Sequence, residues 1–119
     1  MDNQEFAKVL EDRTLNFAIS VVRLSGTLPN SPESRTIRNQ ITKSGTSIGA
    51  NYREANRARS KADFYNRIKI CQAEASETEY WLDIIRELEW EDYNVIKNLR
   101  SECKEFIGIF TSITGKLKS

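Results

Sequence analysis

Apolar residues recur along this chain at alternating steps of three and four. Near the C-terminus Ile96, Leu99, Cys103, Phe106, Phe110, Ile113 and Leu117 fill every position of such a repeat. Phe64, Ile68, Cys71, Ala75, Thr78, Leu82, Ile85 and Leu88 repeat the same steps earlier. Phe6, Leu10, Phe17, Val21, Leu24 and Leu28 form a third series, with Arg13 or Thr14 filling its gap. Ile37, Ile41, Ser44, Ile48, Asn51 and Ala55 form a fourth. The pattern predicts four amphipathic helices, and no strand-like alternation of comparable length competes with it.

The breaks between these series are legible. "GTLPNSPES", Gly26 to Ser34, ends the first helix, and Ser31 followed by Pro32 reads as the cap and first position of the second. "ARSKAD" links the second helix to the third, where Ser60 with Asp63 resembles a capping box. "EWEDYN", Glu89 to Asn94, separates the third from the fourth, whose positive end Glu91 and Asp92 suit. The closing "GKLKS" is expected to fray. Short links between long helices predict an all-α, up-down-up-down antiparallel four-helix bundle, one domain over residues 1–119.

One helix is built from poor helix formers. "SGTSIGANYREA", Ser44 to Ala55, holds two glycines, two serines and an asparagine, and each glycine costs about 1 kcal/mol relative to alanine. Gly45 and Gly49 lie on one flank, where two missing Cβ atoms let another backbone approach. That backbone belongs either to the same bundle or to another subunit. Asn51 falls on the apolar seam, where a buried amide fixes register and must find a partner. Angular position at about 100° per residue places Thr78 on the third seam and Glu74 at its flank, so one of them is the expected partner.

Composition narrows the chemistry. The 119 residues contain no histidine, which removes the commonest general base and metal ligand, and with it the Glu-x-x-His pairs of di-iron bundles. "GTSIG" lacks the lysine of a phosphate loop. Glu74, Glu77, Glu79 and Asp83 spread over several helix faces and read as a solvated surface. No catalytic, cofactor or metal site is therefore expected. Cys71 and Cys103 fall on apolar seams and read as reduced core thiols of a cytoplasmic protein. The acidic, mixed N-terminus does not resemble a secretory signal, and no apolar run is long enough to span a membrane.

Net charge is only +1, but the charges are segregated. Residues 53–71 carry Arg53, Arg57, Arg59, Lys61, Arg67 and Lys69 against Glu54 and Asp63, a net of +4. Residues 72–93 carry Arg86 against eight carboxylates, a net of −7. The basic corner around the second turn is either a solvated turn with internal ion pairs or a phosphate-contacting patch, which repetition in a ring would strengthen.

The segment from Thr46 to Ile85 resembles the bacterial four-helix-bundle family named for proteins encoded in 23S rRNA intervening sequences. The family pattern S-I-x-x-N-x-x-E-[AG] matches Ser47, Ile48, Asn51, Glu54 and Ala55. A serine-capped third helix with E-A-x-E-T-x-Y-W-L matches Ser60, Phe64, Glu74, Ala75, Glu77, Thr78, Tyr80, Trp81 and Leu82. Ala55 and Asn56 stand where many relatives have glycine. The resemblance implies homopentameric rings of up-down bundles. It extends to accessory proteins of diversity-generating retroelements, which bind a reverse transcriptase and nucleic acid through a basic surface. It transfers no defined binding residue, so the six basic residues rest on charge alone. Two functions follow as expectations: a ring-forming RNA- or DNA-binding accessory factor, or a protein-interaction scaffold without nucleic-acid contact. Tyr80 and Trp81, beside the third seam, are the expected anchors of a subunit interface.

Overall fold

The computed structural model describes residues 1–118. It contains four helices: α1 (Asn3–Thr27), α2 (Pro32–Asn56), α3 (Lys61–Glu87) and α4 (Tyr93–Lys118). α1 and α3 each pack on α2 and α4 but not on each other, so they occupy diagonal corners of an up-down bundle about 44 Å long.

The helix ends follow from local chemistry. Asp2, Ser31 and Ser60 each accept a backbone N–H three residues on, capping the first three helices. Only half of the expected box at Ser60 forms, because the Asp63 carboxylate makes no return bond. Asp92 Oδ1 accepts from Asn94 N at 2.8 Å at the start of α4. α1 runs through Gly26 and stops at Leu28, which is extended (φ −71°, ψ 157°) as the residue before a proline must be. α3 ends in a Schellman motif: Trp90 N donates to Ile85 O and Glu89 N to Arg86 O. That motif requires a left-handed residue, and Glu89 supplies it at φ 56°. Of the closing segment, Gly115 to Lys118 are helical and Ser119 lies outside the described residues.

The apolar seams meet in one core. Phe17 and Phe106 pack edge to face with centroids 5.3 Å apart, and Phe110 continues the aromatic row toward Tyr52. α3 contributes small residues, Cys71, Ala75 and Thr78, so α2 and α4 approach it closely. Cys103 Sγ lies 3.0 Å from Ala75 O, and Cys71 Sγ 3.6 Å from Ile48 O. Burial pushes both thiols up to about 12, so both are inert while folded.

The seams differ from expectation at their ends. Leu88 lies beyond the last turn of α3 and is 51% exposed. Phe6 is also exposed, because α1 and α4 diverge there around an apolar groove of about 950 Å³ bordered by Phe6, Tyr52, Phe64, Ile109 and Ile113. Thr14, rather than Arg13, fills the gap in the first seam. Arg13 turns sideways to α4, where its guanidinium meets Glu102 at 2.6 Å and lies over the Phe106 ring.

The glycine flank faces its own bundle. A Cβ on Gly45 would stand 2.8 Å from Val21 Cγ1, and one on Gly49 2.9 Å from Thr14 Oγ1. Both neighbours belong to α1, so the poor helix formers of α2 let α1 approach it closely.

Candidate nucleic-acid interface

The expected polar network needs correction. Thr78 is buried and its Oγ1 lies 2.9 Å from Ser44 Oγ, while also donating to Glu74 O at 2.8 Å. Asn51 is half-buried, and its amide donates to Ser47 O within its own helix at 2.8 Å, not to Thr78 or Glu74. The reason is register. Ser44 stands opposite Thr78 and Ile48 opposite Cys71, so Asn51, seven residues past Ser44, lies about 10 Å along the axis from Thr78. The Glu74 side chain is half-buried beside α2; burial first, and then Glu77, raise its carboxyl above the usual range, with Lys43 opposing.

The basic residues gather as the charge pattern suggests. Arg53 is in the last turns of α2, Arg57 and Arg59 follow it, and Lys61 opens α3, with Arg67 and Lys69 one and two turns on. All are exposed except half-buried Arg67. None of the six makes an ion pair or side-chain hydrogen bond among the described residues. Arg13, Arg86 and Arg100 are paired with carboxylates, whereas Arg23, Arg35, Lys43, Lys97 and Lys104 share with the six the lack of an ion pair among the described residues, so it is the clustering of the six that sets them apart. Arg53 suits the negative end of α2, but Lys61 sits at the positive end of α3, where a cation is locally unfavourable. Its field adds to that of the helix and attracts anions.

The fold adds a cation from far along the chain. The antiparallel course brings the last turn of α4 against the first turns of α3, around a groove of about 580 Å³ lined by Lys61, Tyr65, Asn66, Leu117 and Lys118. Lys118 is 57 residues from Lys61, so only the helix topology joins them. The sequence signal was the lysine pair in "GKLKS", which reads as a frayed tail until the bundle is closed. At the opposite end Glu87, Glu89, Glu91 and Asp92 cluster around the link before α4, while Arg35 and Arg38 stand at the start of α2.

No group of three or more metal-ligating side chains exists among the described residues, and no described helix is long and apolar enough to cross a membrane.

Comparison with known proteins places this architecture. No curated protein matches the chain. A crystal structure of a protein of unknown function from the S23 ribosomal protein family of Bacteroides thetaiotaomicron is similar, at 37% identity and a TM-score of 0.83, over 95% of this chain and 98% of that one. Residues 9–112 match the family model described as 23S rRNA-intervening sequence protein. On that match, which takes in all four helices, the chain belongs to the 23S rRNA-intervening sequence protein family.

Proposed function

We propose that this protein is a non-enzymatic cytoplasmic factor that assembles into a ring, a pentamer by family resemblance, and binds RNA or DNA through the basic end of each bundle. The observation that carries this reading is the set of six basic side chains without a carboxylate partner, gathered at one end of the bundle. Only Glu54 and Asp63 lie among them in the chain, while eight carboxylates follow in residues 72–93, so the local field at this corner is positive.

Two outward stripes support self-association. On α1, Leu15, Ile19 and Val22 are 40–50% exposed at steps of four and three, opposite the core. On α3, Ile70, Trp81 and Ile84 follow the same heptad frame, with Glu74 and Glu77 at the two positions between, and Trp81 Nε1 is buried without an acceptor among the described residues. The stripes are different surfaces on diagonal helices. A contact between them is heterologous, and such a contact makes a ring where its rotation closes.

Fluorescence anisotropy with labelled RNA and DNA against salt tests the reading. Neutralising six phosphates gives a log–log slope of about −4 on single strands. Replacing Arg53, Arg57 and Arg59 with glutamine is expected to reduce that slope by about two. Absent or salt-insensitive binding would refute it in favour of a protein-interaction scaffold.

A further inference from the structure

We propose that the groove between α3 and α4 at the basic end is a stacking site for an unpaired base, so that each bundle selects single-stranded over duplex nucleic acid. The inference rests on the nucleic-acid reading above and assigns Tyr65 as the platform.

Four polar side chains converge on this groove, and none of them has a partner among the described residues. Lys61, Asn66 and Lys118 make no hydrogen bond or ion pair, and the Tyr65 hydroxyl makes none either. The Tyr65 ring also takes part in no aromatic pair, unlike Tyr52 and Tyr80. It is half-buried and borders the groove, so part of the side chain remains open to solvent.

The flank that Tyr65 occupies is set by a neighbour. Gln72, seven residues on and therefore on the same face, donates to Thr111 of α4 at 2.8 Å. Tyr65 thus lies two turns nearer the basic end on the α4 side. Lys61 precedes it by one turn and Lys69 follows it by one, each about 6 Å along the axis. A lysine–tyrosine–lysine row with Lys118 opposite is what a nucleotide strand needs: cations for successive phosphates and a ring for the base between them. Asn66, at the edge of the groove, offers an amide to the base edge. A duplex hides its base faces and gains only the lysine contacts.

The test compares a labelled oligo-uridine and an oligo-thymidine of about 16 nucleotides with a duplex of equal length. Tyr65→Leu, which keeps apolar packing, is expected to lose about tenfold in affinity for both single strands and nothing for the duplex. Tyr65→Phe is expected to bind as the parent does, and Lys118→Gln to reduce the salt slope by about 0.7 on single strands. Thermal melts of both Tyr65 variants verify the fold. If Tyr65→Leu binds single strands as tightly as the parent, or loses duplex binding equally, the stacking site is wrong. The nucleic-acid reading then still stands, provided the Arg53, Arg57 and Arg59 variant loses binding. If the parent binds neither strand nor duplex, both are overturned.

Discussion

Gly45 and Gly49 provide the most direct physical test of the fold. An alanine in a helix interior is worth about 1 kcal/mol more than glycine, so Gly→Ala ordinarily stabilises. At Gly45 the new methyl would meet three atoms of Val21 between 2.8 and 3.1 Å away. Val21 is fully buried and β-branched, so it has no rotamer to retreat into. At Gly49 the obstacle is Thr14, held by hydrogen bonds from its Oγ1 to Leu10 O and Glu11 O. Overpacking of this kind costs about 1–3 kcal/mol, which outweighs the propensity gain. Each variant is therefore expected to lose about 1 kcal/mol net, near 4 °C in Tm for a chain of this size.

Gly108 is the internal control. It lies in α4 with nothing within 4 Å of its missing Cβ, so Gly108→Ala is expected to gain close to 1 kcal/mol. Urea unfolding followed by circular dichroism at one fixed protomer concentration measures all three. Val21→Ala combined with Gly45→Ala should recover part of the loss, a coupling of about 1 kcal/mol in a double-mutant cycle. A Gly45→Ala variant as stabilised as Gly108→Ala would refute the close approach of α1 and α2.

Three further outcomes follow from individual contacts. Thr78→Val leaves the buried Ser44 hydroxyl only its 3.4 Å bond to Ile41 O and is expected to cost about 1 kcal/mol, whereas Thr78→Val with Ser44→Ala costs less than the sum of the two single changes, as unfolding midpoints will show. Glu89→Gly relieves the left-handed backbone at φ 56° and should stabilise by about 1 kcal/mol, read as a rise in Tm. The thiols of Cys71 and Cys103, raised by burial to about 12, keep their protons in the folded chain while unfolded thiols lose theirs near pH 9. Folded pKa values above unfolded ones mean that stability is intact below pH 9 and falls from pH 9 to 12, by about 1.4 kcal/mol per unit for each thiol. Urea midpoints across that range, compared with a Cys71→Ala, Cys103→Ala variant of flatter profile, measure it, and rapid alkylation of the native protein by iodoacetamide would contradict it.

The helices, their order and most of their caps were legible because each rests on local chemistry: a period, a proline, a serine three residues before a free N–H. The failures share a different cause. Asn51 and Ser44 occupy equivalent seam positions, and only the register of α2 against α3 decides which meets Thr78. Register is a tertiary quantity that no single helix encodes. Leu88 continued its period in sequence after the helix had stopped, because Glu89 adopts a conformation usually reserved for glycine and gives no compositional sign of it. Lys118 was overlooked for the same reason as Asn51 was misplaced: its neighbours are determined by topology. The basic corner was readable in outline because six of its cations lie within 17 residues of one another, from Arg53 to Lys69.

The proposed ring and the proposed binding surface make a joint prediction that neither makes alone. In a closed ring generated by a heterologous contact, every protomer has the same relation to the symmetry axis. The basic ends then recur at fixed spacing, and a strand engaged by one copy meets the next at high effective concentration. A bundle with six unpaired cations binds weakly alone, but a ring multiplies it. Ile19 lies in the outward stripe of α1, 40% exposed, in the middle of a helix whose N-terminus alone reaches the basic end. Ile19→Glu places a charge in that stripe without touching the core or any of the six cations. It is expected to lower the assembly mass in sedimentation equilibrium and, with it, to weaken nucleic-acid binding by about a hundredfold, the lower end of what avidity contributes. Weakened binding with intact assembly would mean that α1 itself contacts the strand. Intact binding by a monomer would remove the ring from the mechanism and leave the basic end of a single bundle to carry it.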